Sequence, residues 1–340
     1  MAVRKIPSPA IGFLIDCICS GKEFCFMIKM ILKRFLQTIP TLFVVVTITF
    51  CLTRMLPGDP AVAILGIEAK QEDIEAMRAE MNLDKSLPEQ YKLYLEGLAQ
   101  GNFGYSYSYR QEVSQLILSR IPNTLMLTLV ALVFAFVIGT TVGIIAAIKQ
   151  NTIFDYIFML LALVGVSMPI FWMALMLVLQ FSVKMNLLPV MGMGDWSNGI
   201  GDIIRHMILP GFCLATIPTA TFARTTRSSM IETLSSDYIR CLNARGIHAW
   251  RVICIHGLKN ALPPLITVLG LQIAGTFTGA IITEGIFSWP GMGTMINTAI
   301  NNRDYSLIQG TVLFSAIMFV FCNMLVDVAY MLLNPKVKGA

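Results

Sequence analysis

The chain has 340 residues, of which 56% are hydrophobic and only 13% are charged. A typical soluble domain carries about twice that charged fraction, so the composition excludes a soluble globular protein and predicts one that lies in a membrane. The formal net charge is +5, but the Lys and Arg residues are dispersed between apolar runs instead of lining one face, which argues against nucleic-acid binding.

Six apolar segments are long enough to cross a bilayer, which takes about 20 apolar residues per helix. They lie at Ile31–Thr53, Thr124–Ile148, Ile153–Val183, Met207–Phe222, Leu262–Thr283 and Leu307–Leu332. The sequence therefore predicts an all-α integral membrane protein, built as a six-span helical bundle.

The flanks of these spans predict the orientation, because cytoplasmic flanks carry the excess of Lys and Arg. The N-terminal flank, the connection between spans four and five and the C-terminal tail hold most of these residues, and all three fall on one side of a six-span arrangement. We therefore interpret residues 1–30 as a cytoplasmic extension and 336–340 as a cytoplasmic tail. Asp16 interrupts the short apolar patch near the N-terminus and no cleavage site follows, so we predict no signal peptide.

The first span, 31–55, is followed by a polar stretch, 56–120, which this orientation places outside the cell. Its segments Gln71–Asn82 and Pro88–Ala99 have charged helical character. The stretch contains no His and no carboxylate pair that the sequence can support, which favours a soluble cap over a catalytic site. We therefore predict a small helical extracytoplasmic insertion.

Glycines and prolines inside the spans indicate packed helices. Gly139 and Gly143 in span two, and Gly275 and Gly279 in span five, form GxxxG pairs that allow neighbouring backbones to approach closely. Prolines that free backbone polar groups within the spans are Pro169, Pro210, Pro218, Pro263 and Pro264. Both residue types are also common in membrane helices generally.

The ionisable residues that we identify inside the spans are Asp327 in span six and Glu284 at the outer end of span five. Ion-coupled carriers use intramembrane carboxylates or histidines, so this shortage favours an external energy source. The sequence has no HExxH or GxSxG motif, and its eight cysteines suggest neither a disulfide framework nor a metal site. We predict neither catalytic nor metal-binding residues.

The connection between spans four and five, 223–261, is long for a loop inside a compact bundle. Asp237–Gly246 is typical of a short helix ended by a glycine, and an amphipathic pattern resumes at His248–Lys259. A helix–glycine–helix knob suits docking into a groove on a soluble partner, with basic residues that match an acidic rim. The alternative is a segment that lies on anionic lipid headgroups.

Asp237–Leu265, DYIRCLNARGIHAWRVICIHGLKNALPPL, resembles the EAA loop of ABC importer permeases in the oligopeptide, dipeptide and nickel permease family. Five further blocks follow the family in order: LPGDP at 56–60, GNFGYSYSYRQEV at 101–113, RIPNTLMLTL at 120–129, ITEGIFSWPGMG at 282–293 and NRDYSLIQG at 302–310. The residues that we assign to the coupling loop by this match are Asp237, Tyr238, Arg240, Ala244, Gly246, His256 and Leu258. Cys241, Leu242 and Asn243 depart from the family's pattern.

The resemblance implies the transmembrane domain of a type I importer in a bacterial or archaeal cytoplasmic membrane, with its five-span core at 121–335. It implies a second, homologous permease as a heterodimer partner, two cytoplasmic ATPases that bind ATP and Mg²⁺, and an extracytoplasmic solute-binding protein. This chain has no phosphate-binding loop of the form GxxxxGK[ST], so we expect it to be a non-catalytic subunit without a cofactor of its own.

Short peptides are the substrate class that the resemblance favours, and nickel or a metal chelate is the alternative within the family. An ion-coupled carrier and an intramembrane hydrolase or transferase are alternatives from other classes. No substrate-binding residues are identified from the sequence. The likeness begins near Ile31, so we expect the residues before Met27 to be dispensable for transport.

Overall fold

The computed structural model describes the backbone of residues 21–66 and 68–333, and side chains for residues 36–66 and 68–326. The predicted tail 336–340 and most of the predicted extension 1–30 lie outside these residues. The described chain is almost entirely helical. Its α-helices are α1 Gly21–Met55, α2 Pro60–Leu65, α3 Gln71–Glu80, α4 Leu87–Ala99, α5 Val113–Ile148, α6 Ile153–Ser167, α7 Ile170–Leu177, α8 Ile200–Leu234, α9 Asp237–Ala244, α10 Ala249–Arg251, α11 Leu258–Phe287, α12 Met292–Asn301 and α13 Tyr305–Leu333.

The polar stretch after the first span folds into the short helices α2, α3 and α4, followed by a small hairpin of β1 Tyr105–Ser106 and β2 Gln111–Glu112. Asp59 caps α2 by accepting a hydrogen bond from the Ala61 N–H at 2.9 Å. The two helices predicted at Gln71–Asn82 and Pro88–Ala99 are confirmed, with ends that differ by one or two residues.

Five helical segments in the described part of the chain are long and apolar enough to cross a membrane: Leu36–Met55, Val113–Ile148, Ile200–Leu234, Ala249–Phe287 and Tyr305–Val326. They confirm five of the six predicted spans. Several continue well beyond the predicted ends. The boundary predicted at residue 120 falls inside α5, and α8 runs through the first part of the predicted loop 223–261.

The third predicted span, Ile153–Val183, is present but is not one continuous helix. It is broken into α6 and α7, with α7 running into a π-helical turn at Val178–Lys184, and the two parts are bent by 107°. Pro169 causes the break, because it lacks an N–H and disfavours helical backbone at the preceding residue. Met168 accordingly has φ −77° and ψ 134°.

The broken pair nevertheless joins opposite ends of the bundle. At one end Asp155 of α6 is ion-paired to Arg227, near the end of α8. After α7 the Gly192 N–H donates to the Phe287 carbonyl at 2.8 Å, at the last residue of α11. Since α8 ends and α11 begins at the same side, the pair crosses the bundle once. The architecture is therefore a six-span helical bundle.

Helices α5 and α8 form the centre of this bundle and run parallel to each other. A Cβ placed on Gly139 would lie 2.6 Å from the Thr219 carbonyl oxygen, and one on Gly143 would lie 2.6 Å from the Ala223 carbonyl oxygen. These two glycines therefore lie where the backbones approach closely, as the GxxxG pattern predicts. Buried apolar residues on either side, including Leu127, Ala131, Leu214 and Phe222, complete the core.

The second glycine pair behaves differently. A Cβ on Gly279 would meet Leu214 at 3.3 Å, which is a contact with a side chain and not with a backbone. A Cβ on Gly275 would have nothing within 4 Å. Within the described chain Gly275 therefore makes no close helix contact, and its packing role stays a prediction.

Candidate functional site

The connection between α8 and α11 forms a knob, which we define as residues 235–257. Helix α9 ends in a Schellman motif: the Gly246 N–H donates to the Asn243 carbonyl at 2.9 Å, and the Ile247 N–H donates to the Leu242 carbonyl at 3.3 Å. Gly246 has a φ of +72°, the left-handed conformation that glycine adopts at little cost. The glycine-ended helix predicted here is confirmed.

Most of the knob faces away from the rest of the chain. In α9 only Ile239 is buried, at 2% exposure, and it anchors the helix. Ala244 and Gly246 are exposed, and Trp250, on the second arm of the knob, is 68% exposed. Asp237 and Arg240 form an exposed ion pair at 3.3 Å, which contributes little to stability. The exposed side of α9 and the turn at Gly246 are therefore available to a partner.

One side chain ties the knob to the fifth span. The Tyr238 hydroxyl donates to the His256 carbonyl at 3.0 Å and accepts a hydrogen bond from the Asn260 amide of α11. Two residues assigned to the coupling loop from the sequence, Tyr238 and His256, are thus brought together. The His256 contribution is its backbone carbonyl and not its imidazole.

The second arm of the knob passes into the fifth span without a loop. Residues Val252–Gly257 form a π-helical turn that leads directly into α11 at Leu258. Leu258 packs with Met230 of α8 and Ala261 of α11 in an apolar cluster. Helix α9 is therefore linked to α11 through the Tyr238 hydrogen bonds, and the second arm continues into α11 without a break. Wide turns of this kind are frequent at functional sites.

Asp155 and Arg227 form a second connection, which our sequence interpretation missed. The Arg227 Nε and Nη2 donate to the two carboxylate oxygens of Asp155 at 2.6 and 2.7 Å. The Asp155 side chain is only 2% exposed, so this bidentate pair is largely withdrawn from water. Asp155 lies within the predicted third span yet was not counted among the intramembrane acids. The presence of a basic residue near the end of span four is the signal that could have found the pair.

The sequence matches two families of membrane components of transport systems. Residues 139–339 match the family described as binding-protein-dependent transport system inner membrane component. Residues 27–128 match the N-terminal part of such membrane components. The chain belongs to this permease family.

Relatives of the permease support the same assignment. It is 42% identical over 332 residues to the dipeptide transport system permease protein DppB of Alkalihalophilus pseudofirmus, covering 92% of this chain and all of that protein. The DppB protein of Escherichia coli is 40% identical over 337 residues, with 92% of this chain and 99% of that protein covered. The glutathione transport system permease protein GsiC of Escherichia coli is 38% identical over 312 residues, with the same coverage.

The fold has a counterpart among solved structures. An inward-facing structure of the MetNI methionine ABC transporter matches with a TM-score of 0.52 and 16% identity, over 65% of this chain and 97% of that chain. At that identity the likeness concerns the fold alone. The permease is an integral inner-membrane protein with the bundle of a type I importer.

Two of the sequence blocks shared with the family meet at the ends of α5 and α11. The Trp289 indole N–H donates to the Asn123 carbonyl at 3.0 Å, and the Asn123 amide donates to the Pro290 carbonyl at 2.8 Å. Glu284 is fully buried and accepts the Gly293 N–H at 2.6 Å. The predicted intramembrane acid Glu284 thus holds the turn that leads into α12. The side chain of Asp327 lies outside the described residues.

Three further blocks converge beside the hairpin. Asp304 accepts hydrogen bonds from the Ser106 hydroxyl at 2.6 Å and the Ser108 N–H at 3.1 Å. The Arg303 Nε donates to the Pro57 carbonyl at 2.8 Å. These contacts fasten the polar insertion to the start of α13, so the insertion and the bundle form one connected structure.

Proposed function

We propose that this permease moves short peptides into the cytoplasm by alternating access, driven by ATP hydrolysis on separate subunits. Three of the similar relatives carry names that refer to dipeptides, di- and tripeptides or glutathione, all of which are peptides. A peptide with free termini is therefore the substrate class that the family relationships favour.

The observation that carries the proposal is the exposed knob with its connection to α11. A protruding helix transmits force only if it is fastened to a moving element, and Tyr238 fastens α9 to the first turns of the fifth span. We infer that α9 docks on a cytoplasmic ATPase and that α11 follows its movement. Pro263 and Pro264 in α11 leave carbonyl groups without their usual helical donors, which makes this part of the helix easier to bend.

The proposed assembly contains this chain, a second homologous permease, two ATPases that hold ATP and Mg²⁺, and an extracytoplasmic solute-binding protein. In it this chain performs no catalysis and binds no cofactor. The insertion that contains α2 to α4 faces outside, and the knob and both termini face the cytoplasm. The extracytoplasmic side would then receive peptide from the solute-binding protein.

The test is uptake by the reconstituted complex. Proteoliposomes that contain both permeases and both ATPases, supplied with binding protein, are expected to accumulate radiolabelled dipeptide only when ATP is present on the ATPase side. Uptake driven by a proton or sodium gradient without ATP would overturn the mechanism. Uptake of Ni²⁺ in place of peptide, under the same conditions, would overturn the substrate class but not the mechanism.

A further inference from the structure

A cavity of about 620 Å³ lies between the end of α1, the insertion helices and the start of α13. Its volume is in the range that binds small molecules. It is separate from the knob. Its charged and amide side chains are those of Arg54, Asp59, Glu75, Arg78, Asp84 and Gln90.

Two of these charges neutralise each other. The Arg78 Nε donates to the Asp59 carboxylate at 2.7 Å, and the other oxygen of Asp59 caps α2. Arg54 has no such partner: its Nε and Nη1 atoms are buried and make no hydrogen bond within the described chain. Its guanidinium instead lies over the rings of Phe50 and Tyr305, at 5.0 and 4.7 Å from their centroids. A cation that is withdrawn from water without an acceptor is costly, so an anion in the cavity would stabilise it.

Gln90 also lines the cavity. It is 6% exposed and its amide donates to the Lys85 carbonyl at 2.8 Å. Its Oε1 is buried, so a molecule in the cavity does not reach it. The residue in the wall that favours an anionic group is therefore Arg54.

The rim has the opposite charge. Glu75 and Asp84 are both exposed there, and neither is ion-paired in the described chain. A simple anion would meet one unpaired cation in the wall and two unpaired carboxylates at the mouth. A zwitterion matches both regions, because its cationic end lies near the carboxylates when its anionic end lies at the arginine.

We propose that this cavity binds a short peptide with free termini. The peptide carboxylate lies against Arg54, and the terminal ammonium faces Glu75 and Asp84. The choice of a peptide as the zwitterion rests on the proposed function. The cavity gives the permease an entry site of its own where the insertion meets the ends of the first and last spans.

The experiment measures binding to the complex of both permeases and both ATPases in nanodiscs, with no solute-binding protein added. The probes are radiolabelled L-Ala-L-Ala, its C-terminal amide and its N-acetyl derivative, and equilibrium dialysis reports their affinities. We expect saturable binding of Ala-Ala and a loss of about tenfold on amidation, since a charge-assisted carboxylate contact contributes at least that much. Acetylation is expected to weaken binding as well.

Two variants assign these effects to residues. Arg54→Gln is expected to lower the affinity for Ala-Ala about tenfold and to remove the preference for the free carboxylate. Asp84→Asn, an exposed change without partners to lose, is expected to remove the preference for the free ammonium. Lys92→Gln removes a charge from the same insertion at a 75% exposed side chain outside the cavity, and it is the matched control.

The proposal is overturned if the wild-type complex shows no saturable Ala-Ala binding, or if Arg54→Gln and Lys92→Gln bind all three probes alike. ATP-driven uptake of Ala-Ala, measured on the same preparation with binding protein added, reports separately on the proposed function. Normal uptake with no binding at the cavity therefore removes this site and leaves the peptide importer intact.

Discussion

Gly246 lies at the tip of the knob with a φ of +72° and with nothing within 4 Å of the position that a Cβ would occupy. Within the described chain, the positive φ therefore explains why glycine is favoured here, because a side chain would have enough space. A β-branched residue in this conformation costs roughly 1–2 kcal/mol, whereas asparagine adopts it readily. We expect Gly246→Val to assemble with the partner permease yet to lose the ATPase stimulation that loaded binding protein causes.

Gly246→Asn is the matched variant for this prediction. If backbone conformation alone matters, Asn retains stimulation. If the ATPase contacts the glycine so closely that no side chain fits, both variants lose it. ATPase assays on reconstituted complexes separate these cases, and wild-type stimulation in Gly246→Val would remove the coupling role from this residue.

The pair of Asp155 and Arg227 offers a second test at a single contact. Asp155→Asn leaves Arg227, whose side chain is 29% exposed, without its charged acceptor, so it is expected to destabilise the permease by about 1.5–3 kcal/mol. Replacing both, as Asp155→Leu with Arg227→Met, is expected to recover most of that loss. Thermal unfolding of the detergent-solubilised complex provides the measurement. A double variant no more stable than Asp155→Asn would show that the lost packing, and not the unpaired charge, causes the effect.

At the scale of elements, Tyr238 connects α9 to α11 through one hydroxyl. Tyr238→Phe keeps the ring but removes both hydrogen bonds, so it should weaken coupling while assembly with the ATPases persists. The expected result is a lower ratio of peptide transported to ATP hydrolysed. Tyr105→Phe, at a 43% exposed tyrosine in the hairpin, is the control and should leave the ratio unchanged. An unchanged ratio in Tyr238→Phe would contradict the proposed transmission.

The close contact between α5 and α8 is tested by substituting two glycines, one inside this contact and one outside it. At Gly143 a Cβ would lie 2.5 Å from the Thr226 Cβ, so Gly143→Ala forces the helices apart and is expected to cost about 1–3 kcal/mol. Gly275→Ala adds the same methyl group where no atom lies within 4 Å. We expect the first variant to unfold at lower temperature and to elute less uniformly in size-exclusion chromatography. Equal unfolding temperatures and elution profiles for the two variants would contradict the close approach of α5 and α8.

At the scale of the whole molecule, the proposed orientation places the knob inside and the insertion outside. Cys241 on α9 is exposed, so a membrane-impermeant maleimide should label it only after the cells are permeabilised. In a chain whose other cysteines are replaced, a cysteine introduced by Glu89→Cys on α4 should be labelled in intact cells. Strong labelling of Cys241 in intact cells would reverse the topology.

The sequence predicts those features that depend on local pattern. Apolar runs locate five spans because a helix in lipid must satisfy its own backbone and cover itself with apolar side chains. The helix and glycine at Asp237–Gly246 are predicted for a similar reason, since a helix end of this kind is set by adjacent residues. The glycine pair in α5 is predicted because small residues every fourth position form one narrow face.

Other features depend on partners that are distant along the chain. Pro169 signals a disturbance in the third span, but the 107° bend becomes definite only when α6 and α7 are fixed at opposite ends of the bundle. GxxxG spacing at Gly275 looks the same as at Gly139, yet only Gly139 faces the backbone of α8, whereas Gly275 has no close neighbour among the described residues. The pattern identifies a narrow helix face, and the neighbouring helices decide whether that face is used.

The sequence by itself determined that this protein spans the membrane as a helical bundle, carries a polar insertion after its first span and has a knob with a glycine-ended helix. These follow from composition, periodicity and local backbone preference, which act within a few residues. Only the tertiary structure decided that Asp155 pairs with Arg227, that Tyr238 joins α9 to α11, and that Arg54 has no hydrogen-bond acceptor among the described residues around its cavity. Hydrogen bonds and ion pairs act over about 3 Å, so they are defined by which segments the fold brings together and not by their order in the chain.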